Sequence, residues 1–172
     1  MRIAKKLKRA ALFAAVTAVA ACANQAATPP AMELSDAAIC SMDGMLLSDF
    51  PGPKGQILYA QGKPEVFCDT VELVSALIAP EQERRVAAAY TQDMANTSWD
   101  KPQGHWIDAR TAYYVAGSRR AGSMGPTLAS FAERRDAETF ARDNGGKVLR
   151  LAEITPDMVS LDGGVLKDGL VR

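Results

Sequence analysis

Residues 39–47 read ICSMDGMLL and place three sulfur side chains, Cys40, Met42 and Met45, within six positions. Thiolate and thioether are soft donors, and among biological metals soft donors select Cu(I). If Cys40 to Met42 is extended, their side chains share a face, because strand periodicity is two. Gly44 then permits a turn that returns Met45 toward them. Met124 stands in AGSMGP, residues 121–126, where flanking glycines and a proline indicate a loop. Cys68 is a further sulfur. Zinc suits this set less well: it takes Cys and His in a four-coordinate shell, and the chain has one histidine, His105. The competing account of each methionine is core packing, since Met is an adaptable filler and Leu46-Leu47 adjoin Met45.

The meaning of these sulfurs depends on the compartment. The chain begins MRIAKKLKRA, followed by the apolar run ALFAAVTAVA, residues 11–20. That run is too short to cross a bilayer, which takes about 20 apolar residues. A basic head, a short apolar middle and small residues after it make a secretory signal peptide over 1–21. VAAC, residues 19–22, matches the bacterial lipobox, so Cys22 is expected to become a lipidated N-terminus. Several acyl chains, at about 0.8 kcal/mol per buried methylene, anchor stably. Ala23 after the cysteine resembles the outer-membrane address, and places the protein in the periplasm. Removing the signal takes away five of the 20 basic residues and none of the 20 acidic ones, leaving a net charge of −5. Such a chain lacks the clustered Lys and Arg that phosphate contacts need, which excludes nucleic acid as a partner. With Cys22 acylated, Cys40 and Cys68 remain in an oxidising compartment. They form one disulfide, or they stay free for a reason such as metal binding.

The elements that must position these residues follow from periodicity. Residues 22–33 are small, polar and proline-containing, and read as a lipidated flexible tether. Short strands are expected over 56–60 and 64–67. A helix opens at Asp69, where Glu72 three residues on gives a capping-box pattern, and Val71, Val74, Leu77 and Ile78 recur at helical spacing. Pro80 ends it, and 84–92 returns as a strand. The order then repeats: strands over 106–117 and 127–131, a helix over 133–144 stopped by Gly145-Gly146, and an alternating strand over 147–154. Thr155-Pro156 opens a short helical turn. The expectation is an α+β protein of two ββαβ lobes, 34–104 and 105–172, the second including the C-terminal tail.

These residues resemble the NosL family of copper lipoproteins. ICSMDGMLL is similar to its Cys-x-x-[Cys/Asp]-Gly-Met signature. The likeness continues through DFPGPK (49–54), FCDT (67–70), GHWIDA (104–109), AYYV (112–115) and MGP (124–126). The resemblance implies a Cu(I)-binding accessory protein, not an enzyme. It would deliver copper for the copper–sulfide centre of nitrous oxide reductase, alongside a membrane ABC-type transporter complex. It also implies two ββαβ lobes similar to organomercurial lyase, with Cys40, Met45 and Met124 as ligands. Asp43 stands where many relatives carry a second cysteine, and a carboxylate is a hard ligand for Cu(I). That brings forward Met42 or Cys68 as the extra sulfur. Pro126 stands where many relatives have a histidine; His105 either replaces it or packs beside Trp106. The rival functions are a thiol-redox or organometal-lyase-like enzyme on the same fold, and a structural envelope lipoprotein. Replacing Cys22 by serine is expected to move the protein from the membrane fraction to the soluble fraction on cell fractionation. An unchanged distribution would remove the anchor.

Overall fold

The computed structural model describes residues 27–160 except Glu81. The signal peptide, Cys22 and the tail from Asp162 therefore lie outside the described residues. No helix among the described residues is long and apolar enough to cross a membrane.

Strand β1 (Gly55–Tyr59) is the spine of the first sheet, flanked by β2 (Glu65–Phe67) and β3 (Val86–Gln92). Its five residues are all buried, as a strand covered on both faces must be. Helix α1 (Thr70–Ile78) lies between β2 and β3 in sequence. Asp69 caps α1 by accepting from the Val71 amide at 2.8 Å. Alanine-rich β3 is a weak strand former by propensity, yet it forms because it is paired on both sides.

The strand expected over 106–117 is in fact two. Residues Trp106–Asp108 form β4, which pairs with β3 and completes a first sheet of order β2-β1-β3-β4. The chain turns at 109–112, and β5 (Tyr113–Ala116) begins a second sheet. The first sheet thus runs past residue 104. A two-residue hairpin follows, β6 (Ala121–Gly122) and β7 (Gly125–Pro126), then β8 (Ala129–Phe131), α2 (Arg134–Asn144) and β9 (Lys147–Arg150). The second sheet has the order β8-β5-β9. Its middle strand comes first in sequence, as β1 does in β2-β1-β3, so the ββαβ unit occurs twice. Strand β9 is shorter than expected, because Leu151–Glu153 is a 3-10 turn.

Helix α1 joins the two halves into one core. Leu73 packs with Ile57, Phe67 and Ala89 of the first half. Val71 and Val74 pack with Tyr114, Leu128, Leu149 and Val159 of the second. The apolar residues expected on one face of α1 are therefore shared between two, with Leu77 on the first sheet and Ile78 on the second. By contrast, α2 covers only the second sheet, through Ala137, Phe140 and Ala141, as its one-sided pattern predicts.

Polar bonds reinforce the junction where the site lies. Buried Asp69 accepts from Thr127 Oγ1 at 2.6 Å and from the Ser123 amide at 3.1 Å, so it ties the β6–β7 hairpin to the start of α1. Gly122 is required for that approach: a Cβ there would lie 2.0 Å from Asp69 Oδ2 and 2.9 Å from Thr127 Cβ. The segment read as a flexible tether is also tied down at its end. The Gln56 side-chain amide exchanges two hydrogen bonds with the Met32 backbone, at 2.8 and 3.0 Å, and Tyr90 Oη donates to the Pro29 carbonyl at 2.6 Å. Composition indicated polarity there, but long-range bonds fix the chain from Pro29 on. Gly122→Ala is expected to lower unfolding free energy by about 1–3 kcal/mol, the usual cost of overpacking, measured by denaturant titration. A wild-type value would show that the hairpin is not held as described.

Candidate metal centre

Residues 38–47 form a tight hairpin. Ile39 bridges Leu46, and the Cys40 amide donates to the Met45 carbonyl at 2.8 Å. Gly44 closes it with φ of +76°, a conformation that L side chains rarely adopt. Cys40 is directed inward and is 3% exposed, whereas Met42 is 45% exposed. The two do not share a face, because residues 41–43 form a turn and strand alternation does not apply. The Met42 amide instead donates to Cys40 Sγ at 3.4 Å. Met45 is half-buried and packs with Cys40, Leu47 and Cys68.

Cys68 lies between β2 and the Asp69 cap, and is fully buried. Both cysteines are free thiols, so the disulfide alternative is not what the structure contains. Their sulfurs meet two carboxylates: donor atoms of Cys40, Asp43, Cys68 and Glu72 all lie within 4.8 Å of one another. Glu72 Oε2 is 3.3 Å from Cys40 Sγ and 3.4 Å from Cys68 Sγ. Glu72 Oε1 is buried with no hydrogen-bond partner, a costly state for a carboxylate oxygen unless a proton or ion answers it. Asp43 Oδ2 is 3.7 Å from Cys68 Sγ.

The second half closes the site. Ser123 Oγ is 3.2 Å from Cys68 Sγ. Met124, the next residue, is partly buried at the tip of the β6–β7 hairpin. The loop carrying Met124 thus reaches the residue carrying Cys68 across the two halves. His105 is exposed on the Gly104-His105 turn, with φ of +51°, and belongs to no metal-ligating cluster among the described residues.

Sequence reasoning did not identify Glu72 as a site residue. Its position three after Asp69 fits a capping box, but the side chain turns to the thiols instead. The available signal was the Cys68–Glu72 spacing of four across a helix start, which brings side chains onto one side. Asp43 is a hard ligand by type, which left its contribution open, and Ser123 carries no signal in the sequence. Lys54 closes the DFPGPK motif and is 4% exposed. Its Nζ donates to the carbonyls of Phe50 at 2.8 Å, Pro51 at 3.1 Å and Cys68 at 3.1 Å.

The thiols differ in acidity. A hydrogen bond from Cys68 holds Cys40 down to about 6, although burial opposes it. The same bond, reinforced by burial, pushes Cys68 far up. Burial raises Glu72 to about 8, and the Cys40 charge adds to this. At neutral pH the site therefore holds one thiolate, on Cys40, beside protonated Cys68 and Glu72. Two converging sulfurs can bind a soft cation once the Cys68 proton leaves; the carboxylates are poor donors for such an ion.

In the metal-free protein, Glu72 makes stability fall as pH rises from 4.5 to about 8, because the folded state binds the extra proton. Cys40 makes stability rise from about pH 6 to 9, because the unfolded state binds it. Denaturant midpoints should therefore fall to about pH 6, level to about 8, then rise to about 9. Glu72→Gln should make the falling limb shallower, the remainder coming from buried Asp69, which burial also raises; a limb as steep as in wild type would refute the assignment.

Comparison with known proteins gives concordant matches. The NosL family profile matches residues 30–159. The copper-binding lipoprotein NosL of Stutzerimonas stutzeri is 45% identical over 132 residues, covering 76% of this chain and 68% of that one. That of Achromobacter cycloclastes is 40% identical over 121 residues, covering 67% of this chain and 62% of the relative, less than two thirds of its length. The crystal structure of the copper chaperone NosL from Shewanella denitrificans superposes with a TM-score of 0.70 at 41% identity, covering 74% of this chain and 98% of that one.

Proposed function

Because the chain belongs to the NosL family, we propose that it is a membrane-anchored envelope protein that binds Cu(I) at Cys40 and Cys68 and passes it on. The observation that carries this reading is the meeting of two unbonded, buried thiols from separate segments within 4.8 Å. Copper is the cargo here, and the protein's task is to hold it without trapping it.

Two thiolates suit Cu(I), which accepts low coordination numbers and soft donors. Cys40 already carries the charge. Cys68 releases its proton to solvent when the ion binds its sulfur, as metal binding to a thiol requires. Met45, packed against the pair, supplies a neutral thioether, and Met124, next to Ser123 on the hairpin that reaches Cys68, is a candidate for a second. Met42, on the exposed side, is the donor an acceptor meets first. An incoming ligand then binds before a protein ligand leaves, so the ion is exchanged without being freed. Asp43 and Glu72 orient the thiols, and Glu72 holds a proton. Ser123 keeps the second-half hairpin over the site.

The acceptor in this reading is the copper–sulfide centre of nitrous oxide reductase, reached together with an ABC-type transporter complex. The role implied by the sequence motifs supports that choice. A lipid anchor at Cys22, on the periplasmic side and directed to the outer membrane, would raise the effective concentration of carrier near membrane partners. The protein is not an enzyme in this account. Burial of both thiols favours holding a small ion over turning over a bulky disulfide.

Titration of Cu(I) against a chromophoric chelator tests the ligand set. Cys40→Ser and Cys68→Ser should each weaken binding by at least about 100-fold, since even outer-shell changes cost about 10–100-fold. Met45→Leu and Met124→Leu should weaken it less. Wild-type affinity in either serine variant would remove that thiol from the site.

A further inference from the structure

We propose that Lys54 is a specificity-determining residue of the thiol site: its buried, fixed positive charge penalises a divalent ion relative to a monovalent one. This rests on the reading of the Cys40–Cys68 cluster as the copper site.

The geometry requires a charged side chain. Nζ donates to three carbonyls, those of Phe50, Pro51 and Cys68. An ammonium has three N–H groups; a neutral amine has two. None of the ion pairs among the described residues includes Lys54, so no carboxylate cancels its charge at contact distance. At 4% exposure, water and salt screen it little. The three carbonyls also hold it in place, so it cannot swing away when a cation arrives. One of them belongs to Cys68, whose sulfur is a donor of the site. Asp69, Cys68, Glu72 and Cys40 all act on the Lys54 ammonium to favour its charged form, against the burial that lowers its pKa. Coupling of this kind is reciprocal, so the same charge acts on whatever ion the cluster holds.

The donors alone do not reject divalent ions. Two thiolates with two carboxylates are acceptable to zinc, which takes sulfur and carboxylate oxygen in four-coordinate sites. The repulsion from Lys54 scales with the charge of the ion. A divalent ion meets twice the direct penalty of Cu(I). Zinc ligation by Glu72 would also release the Glu72 proton, so Lys54→Arg, which keeps the charge, is the control against which the affinity ratio of the neutral variants is read.

The test uses the full chain as wild type, Lys54→Met, Lys54→Gln and Lys54→Arg, with folding followed by thermal unfolding. Dissociation constants for Cu(I) and Zn(II) are measured by chelator competition at one pH. Both neutral variants should shift the affinity ratio toward Zn(II), on the order of tenfold. Lys54→Arg should keep the wild-type ratio. An unchanged ratio in the neutral variants would overturn the proposal, whether both affinities persist or both fall by the same factor. If both neutral variants fail to fold while Lys54→Arg folds, the charge serves stability and the selectivity role is overturned. A wild-type protein that binds no Cu(I) would instead refute the copper site itself.

Discussion

The first turn of α1 has no solvent to fall back on. Asp69, Thr70, Val71, Glu72, Leu73 and Val74 are all buried, because the helix is packed between two sheets. Every polar group there must find a partner inside the protein, and the arrangement of the site follows from that requirement. Asp69 meets it with the Val71 and Ser123 amides and Thr127. Thr70 meets it with Thr127 and the Leu128 carbonyl. Glu72 meets it only in part, through the two thiols, and one oxygen is left without a partner. A charged carboxylate in that position would be expensive, which is why its proton is retained to about pH 8.

The same burial decides which thiol carries charge. Cys68 precedes a helix N-terminus, a position that ordinarily favours thiolate. Here a neighbouring thiolate and low-dielectric surroundings outweigh the helix, and Cys68 keeps its proton. Cys40 receives hydrogen bonds from Cys68 and from the backbone of its own turn, and becomes the anion. In the proposed copper site, the Cys40 thiolate would attract the ion, and Cys68 would commit only when the ion displaces its proton.

The two halves depend on each other more than a repeat of ββαβ units suggests. The hairpin bearing Met124 is held by Asp69 of the first half, and Ser130 bonds to Thr91 and to the Gln92 carbonyl across the junction. The cluster of Cys40, Asp43, Cys68 and Glu72 lies wholly in the first half, and the second half closes over it through Ser123. The docking of Pro29 and Met32 on Tyr90 and Gln56 extends this economy to the N-terminal segment.

Local chemistry was legible in the sequence wherever a local rule governs it. The Asp69 cap, the Gly145 stop of α2, the turn at Gly44 and the one-sided face of α2 follow from propensity and periodicity, which act over a few residues. The repeated order of strand and helix was legible for the same reason, as was the concentration of sulfur around Cys40. What pairs with what was not. The break of 106–117 into strands of two different sheets depends on β3 having an open edge for β4. The recruitment of Glu72 depends on where Cys40 and Cys68 come to rest. The role of Lys54 depends on three carbonyls that no spacing announces. Each of these is a contact between residues distant in sequence, and it is selected by the energy of burying polar groups together in the folded chain, a quantity no local window contains.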